Sequence, residues 1–299
     1  MADFSVGLHV YSLKLRTKGK NHRIVPFGTS TEGELLRRAV ELLINLHTSP
    51  TIEGSIIPRP WYFENKKTDG FSTYGLIKYG SSGFESTIVD GKTRDVMYDK
   101  KATDLDVIPI YYHFWVPDSG DQAFLAIQTI GLRSCVNKVQ DALSKSVRML
   151  SDRHVVDQNP ISLADTKTFG NAPVTTLSFV QREVSSDAAS NAIFENQVFD
   201  VGYTLKSQPK ENLGTFSQVK QKLFGRTSDD QIEINNDSYS EATASVKIGG
   251  KIRRVVILGV SKNSGKIDIT EHVDCDLTGH PKFDSIHEET KNVLKDIMA

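Results

Sequence analysis

Cysteine is scarce in this chain: Cys135 and Cys275 are the only two among 299 residues. That excludes a disulfide framework, their spacing fits no metal motif, and two lone thiols read as inert core residues. Long apolar runs are also missing, and nothing approaches the roughly 18 residues a membrane helix needs. The opening MADFSVGLHVYSLKLR lacks the cationic start and extended apolar centre of a secretory signal. These absences point to a reduced, cytoplasmic protein. Catalytic signatures are absent as well. Neither GxxxxGK(S/T) nor GxGxxG occurs, and there is no GxSxG elbow. His287-Glu288-Glu289 has the wrong spacing to set two metal ligands on one helix face. The eight histidines are scattered, and His113 within YYHFW reads as a packed strand residue. No metal and no cofactor is expected, and the chain is not expected to be an enzyme.

What is present is ordinary in bulk and uneven in detail. Apolar residues make up 38% of the chain, enough for a sizeable core. The formal net charge is -1, yet the charges come in blocks. Between Phe4 and Thr31 there is no acid, and RTKGKNHR puts four cations into residues 16–23. Lys206, Lys210, Lys220, Lys222 and Arg226 face only Glu211 in their stretch. Residues 229–241 are acidic without a cation. Residues 242–266 then carry Lys247, Lys251, Arg253, Arg254, Lys262 and Lys266 without an acid. Such segregation bears on partners rather than on fold.

Periodicity predicts an α+β protein with antiparallel sheets and a few packed helices. Phe4, Val6, Leu8 and Val10 alternate as in a strand. Thr31 and Glu34 form a predicted capping box ahead of a helix through Leu46. Residues 55–130 read as an antiparallel meander, with turns at Asp69-Gly70, Gly80–Gly83, Asp90-Gly91 and Pro117–Gly120. A helix is predicted over 136–150. Strands are expected over 175–184 and 198–206, and a short basic helix over 215–225. Three more strands precede a terminal helix opened by Ser285 and Glu288. Asn159-Pro160, Gly170 and Pro173 punctuate a polar stretch, which suggests two domains, 1–158 and 175–299, joined by a connecting loop over 159–174.

The basic blocks have a clear physical use. A duplex carries one charge per ~1.7 Å of axis, and cations on a continuous surface gain by releasing its counterions. Candidate DNA contacts are Arg16, Lys18, Lys20, Arg23, Lys206, Lys210, Lys220, Lys222, Arg226, Lys251, Arg253 and Arg254. In KIRRVVILG, strand alternation sends Lys251 and Arg253 to one side and Arg254 to the other. Lys222 and Arg226, four apart, share a helix face. No aromatics interleave with these cations, which argues against single-strand stacking. A metal-dependent nuclease is a further alternative. Glu64-Asn65-Lys66 matches a Glu-x-Lys strand; no Asp precedes it after Asp3, so Glu53 would have to serve as the earlier carboxylate.

Five stretches, in order, resemble the RexA-type phage-exclusion family. They are LKLRTKGKNHRIV, AFLAIQTIGLRSCV, HVVDQNPISL, VFDVGYTLKSQPK and SGKIDITEHVDCDLTGHPKF. The first helix and the meander over 55–120 are longer here. The resemblance implies a dimeric, cytoplasmic, non-catalytic DNA-binding protein of antiphage defence, one that senses phage nucleoprotein and signals to a membrane-protein effector. The residues themselves leave open a protein-interaction module whose charged blocks pair with each other or with a partner protein.

Overall fold

The computed structural model describes residues 5–19, 22–49, 60–81, 83–131, 133–161, 163–185, 198–224, 227–228, 231–234, 237–258 and 266–299. The fold is α+β with antiparallel sheets. It divides into two compact units, one of Tyr11–Asn159 and one of Met1–Val10 with Pro160–Ala299. We call them the middle and the terminal unit. Among the described residues, no helix is long and apolar enough to cross a membrane.

The middle unit holds the later part of β1 (Val6–Thr17), then α1 (Leu35–Leu46), β2 (Trp61–Asp69) and β3 (Ser72–Ser81). A small ribbon follows, β4 (Ser86–Val89) and β5 (Val96–Lys100). Next are β6 (Asp106–Trp115), β7 (Ala123–Ile130), α2 (Val136–Leu150) and β8 (His154–Pro160). The sheet runs β1-β7-β6-β3-β2, with β8 also against β1. Alternate strand residues supply one buried face: Leu13, Leu15, Trp61, Phe63, Ile77, Ile110, Tyr112, Phe114, Leu125 and Ile127. The apolar stripes of α1 and α2 close over it through Leu36, Leu43, Val139 and Leu143.

The predicted capping box of α1 does not form. The helix starts at Leu35, and Glu34 stands at its N-cap without a side-chain cap. Ser30 Oγ instead accepts from the Gly33 N–H at 3.0 Å, so Thr31 is spent in the turn before the helix. In β2 the register shifts between Glu64 and Lys67, with Asn65 at φ 55°. The bulge presses on β3, where a Cβ at Gly75 would stand 2.6 Å from the Asn65 carbonyl oxygen.

The terminal unit contains α3 (Lys167–Gly170), β9 (Val174–Ser185), β10 (Val198–Lys206) and α4 (Phe216–Phe224). Then come the short β11 (Thr227–Ser228), β12 (Gln231–Ile234) and β13 (Asp237–Tyr239). β14 (Glu241–Ile248), β15 (Lys251–Leu258), β16 (Ile267–Asp268) and α5 (Phe283–Met298) complete it. Its sheet runs β10-β9-β14-β15-β16 and ends on the first residues of β1, where Leu8 stands opposite Ile267. The opening strand therefore belongs partly with the C-terminal half, which the division into 1–158 and 175–299 did not anticipate.

Residues 159–174 are also no mere connector. A 3-10 turn at Leu163–Asp165 leads into α3, capped where Thr166 Oγ1 accepts from the Phe169 N–H, and Leu163, Phe169 and Val174 are buried. The N-terminal capping of two further helices also differs from expectation, whereas α2 spans 136–150 and α5 ends at Met298 as read. Ser285 lies inside α5, where its Oγ accepts from the Asp274 N–H at 2.8 Å. A capping box does form at α4: Thr215 Oγ1 accepts from the Gln218 N–H at 3.4 Å, and Gln218 Oε1 from the Thr215 N–H at 3.2 Å.

His9, partly buried in β1, makes this unit sensitive to acid. Burial, and then the charge of Lys266, push its imidazole down to about 4 from the ordinary 6.5. Between those values the unfolded chain binds the proton and the folded chain does not. Stability is therefore whole above about pH 6.5 and falls as pH drops toward 4, by about 3 kcal/mol over the window. His9→Gln is expected to flatten the pH dependence of urea unfolding between pH 6.5 and 4.5. An unchanged slope would assign the acid sensitivity to other groups.

Candidate nucleic-acid interface

Strand alternation divides the terminal sheet into two unlike faces. Residues directly opposite in an antiparallel ladder share a face. One row reads Leu205, Leu177, Ala244, Val255, Ile267, Leu8 across β10, β9, β14, β15, β16 and β1. All but Leu205 are buried. The adjacent row, on the other face, reads Lys206, Thr176, Ser245, Arg254, Asp268, Gly7. Two residues further along each strand, the same face presents Thr204, Ser178 and Thr243. Lys247 and Ile252 extend it the other way. This second face is a field of hydroxyls with cations at both ends, and Lys206, Lys247 and Arg254 are exposed on it.

Two concavities mark this face. One, of about 690 Å³, is lined by Lys206, Lys210 and Lys247 together with Thr175, Asn212 and Glu211. All three lysines are exposed, and none has an ion-pair partner among the described residues. Lys210 sits at φ 69°, in the turn that follows β10. The other, of about 390 Å³, is lined by Ser245, Arg254, Asp268 and His272 among others. Arg254 reaches Asp268 at 3.8 Å with its side chain 55% exposed, so that pair is loose and screened.

The other candidate cations are placed differently. Arg253, expected among the DNA contacts, is buried on the opposite face and cannot reach a phosphate. Its guanidinium pairs with Glu289 and, at 3.1 and 3.0 Å, with Asp296, both on α5. Lys251 joins the same cluster, 3.4 Å from Glu289. Lys222 is exposed on α4 and Lys220 partly buried there. In the middle unit, Arg16 is clamped by Asp157, with 2.7 Å from Nη2 to Oδ1, and Arg23 pairs with Glu32 at 3.1 Å. Lys18 is exposed, its backbone N–H held by the Arg153 carbonyl at 2.7 Å. Lys20 and Arg226 lie outside the described residues. Lys206, Lys210 and Arg254 are thus brought to one face, and Arg16 and Arg23 are answered locally by acids.

Sequence reasoning placed Lys247 in a basic block but left it out of the contacts, and it missed the hydroxyl row. The signal was there in ATASVKI, where Thr243, Ser245 and Lys247 alternate with Ala242, Ala244 and Val246.

The nuclease alternative gains nothing from its residues. Glu64 is 3.5 Å from Lys78, the bulge breaks the alternation at Asn65, and Glu53 lies outside the described residues. Among the described residues no three His, Cys, Asp or Glu side chains cluster as a metal site would require. His113 is buried as expected, bonded to Ser72 Oγ at 2.9 Å and to the Tyr111 hydroxyl at 3.2 Å. Cys135 is buried, and burial pushes its thiol up to about 12, whereas Cys275 is exposed, contrary to its reading as a core residue. No protein-family model, no curated protein and no solved structure matches this chain.

Proposed function

We propose that this is a sequence-non-specific double-stranded DNA-binding protein that lays the phosphate backbone across the open face of its terminal sheet. The observation behind the proposal is the convergence of Lys206, Lys210, Lys247 and Arg254 around a row of Ser and Thr hydroxyls. Lys, Arg, Ser and Thr are the side chains that contact phosphates, and such contacts hold a duplex without reading its bases. The resemblance to the RexA-type family extends the proposal to a cytoplasmic, homodimeric sensor in antiphage defence, acting through a membrane-protein effector and without catalysis of its own.

The test is fluorescence anisotropy of a ~30-base-pair duplex titrated at several salt concentrations. Four phosphates neutralised together predict a log–log slope of roughly -3.6, at about -0.9 per contact. No binding at low salt would remove the proposal.

A second reading has its own support. Arg16 with Asp157, Arg23 with Glu32 and Arg253 with Glu289 show several of the basic residues answered by acids of the same chain. A protein-interaction module would extend that pattern, and it predicts no duplex affinity at physiological salt.

A further inference from the structure

The turn that follows β10 carries a lysine where its geometry asks for glycine. Gln208 to Glu211 close a β-turn, the Glu211 N–H donating to the Gln208 carbonyl at 3.0 Å. Pro209 takes the second position, and Lys210 takes the third at φ 69°. Proline followed by a positive φ makes the turn type II, whose third position favours Gly or Asn. Backbone hydrogen bonds pin the turn on both sides. The Ser207 N–H donates to the Thr175 carbonyl at 2.9 Å, and the Leu213 N–H to the Val174 carbonyl at 2.8 Å. Backbone strain of this kind gathers where a side chain is presented to a ligand. The side chain presented is an ammonium, at the wall of the 690 Å³ concavity that Lys206 and Lys247 also line.

We propose that this concavity seats a terminal phosphate, the dianionic phosphomonoester at the 5′ end of a DNA strand. The inference rests on the duplex reading and adds to it a preference for ends. Charge, convergence and place favour this occupant. A phosphomonoester carries about -1.5 to -2 charges near pH 7, whereas each phosphate within a strand carries one. Three lysines against Glu211, the one acid among the lining residues, leave two positive charges. That matches the monoester and falls short of a triphosphate chain. The lysines come from three places, the end of β10, the turn after it and β14. They therefore gather around one concavity, where cations that follow a backbone would be spaced along it. β10 is also the last strand in the order of its sheet. A strand laid across the hydroxyl row reaches this concavity where the sheet stops.

Anisotropy of one ~30-base-pair sequence in three internally labelled forms tests the site: with 5′-phosphate ends, with 5′-hydroxyl ends, and closed at both ends by hairpin loops. The phosphorylated duplex is expected to bind roughly tenfold tighter than the hydroxyl one at about 0.1 M salt, where one added contact is worth roughly eightfold. The closed form is expected to match the hydroxyl one. Lys210→Gly separates presentation from structure. Glycine adopts this φ without strain, so the urea midpoint should hold or rise, while the tenfold preference should shrink to roughly twofold or less. Equal affinity for phosphorylated and hydroxyl ends overturns the site and leaves the duplex reading standing, and so does a preference undiminished in Lys210→Gly. If no duplex binds, the duplex reading falls, and calorimetry with dAMP decides the site by itself. Binding that Lys210→Gly abolishes keeps it as a site for a free nucleotide monoester, and no binding overturns it.

Discussion

Glu289→Ala is expected to destabilise the terminal unit by about 3–5 kcal/mol, read as a lower urea midpoint in far-UV circular dichroism. Glu289 and Arg253 are both almost fully buried, with side-chain exposures of 3% and 2%. Removing the carboxylate leaves a guanidinium in the core with only the partly exposed Asp296 to answer it. Lys251, half exposed, can turn to water, so its share of the loss is small. The cost comes from the stranded charge rather than from the value of the pair. Replacing both partners, as Arg253→Met with Glu289→Leu, is accordingly expected to recover most of the loss, because apolar side chains of similar volume need no partner. A double variant as unstable as the single one would show that the pair itself supplies the stability. The same cycle separates core from surface: Arg254→Ala, one residue on and facing the other way, should change stability by less than about 1 kcal/mol.

The second large effect concerns the duplex. Lys206→Ala with Lys247→Ala is expected to lower the magnitude of the salt slope by about 1.8 and to weaken binding roughly 60-fold at 0.1 M salt. Each phosphate contact contributes about 0.9 to the slope, so its worth at that salt is roughly eightfold, and two multiply. The loss should be the same for unrelated sequences, because a phosphate contact carries no base information. Arg16→Ala with Arg23→Ala provides the contrast. Those guanidinium groups are held by Asp157 and Glu32, so affinity and slope should change little. If the N-terminal pair abolishes binding and the lysine pair does not, the interface lies on the middle unit instead.

Much of the architecture could be read from periodicity, because each element buries a face whose spacing repeats within the element. The helix through Leu36, Leu43 and Ile44 and the strands around Ile110–Phe114 and Leu125–Ile127 show this. Helix ends could not be read as well. A Ser or Thr followed by an acid three residues on occurs at Thr31 and Ser285, but a cap forms only where the backbone turns there. At Thr31 the preceding turn takes the position, and at Ser285 the hydroxyl is drawn to Asp274. Thr215 and Gln218 do make the cap, without an acid to advertise it.

The candidate site was legible as composition and not as geometry. Block charge identified Lys206, Lys210 and Arg254, and alternation rightly set Arg253 against Arg254. What alternation cannot say is which side a helix will cover. That was decided when α5 brought Glu289 and Asp296 over β15, turning one arginine into a core residue and leaving its neighbour in water. The pairing of Leu8 with Ile267 is of the same kind. Local sequence determines that each is a strand residue with a buried side chain, because period and hydrophobicity act over a few neighbours. Which strand lies beside which, and so which cations share a face, follows from contacts between residues far apart in the chain, and only the folded structure contains them.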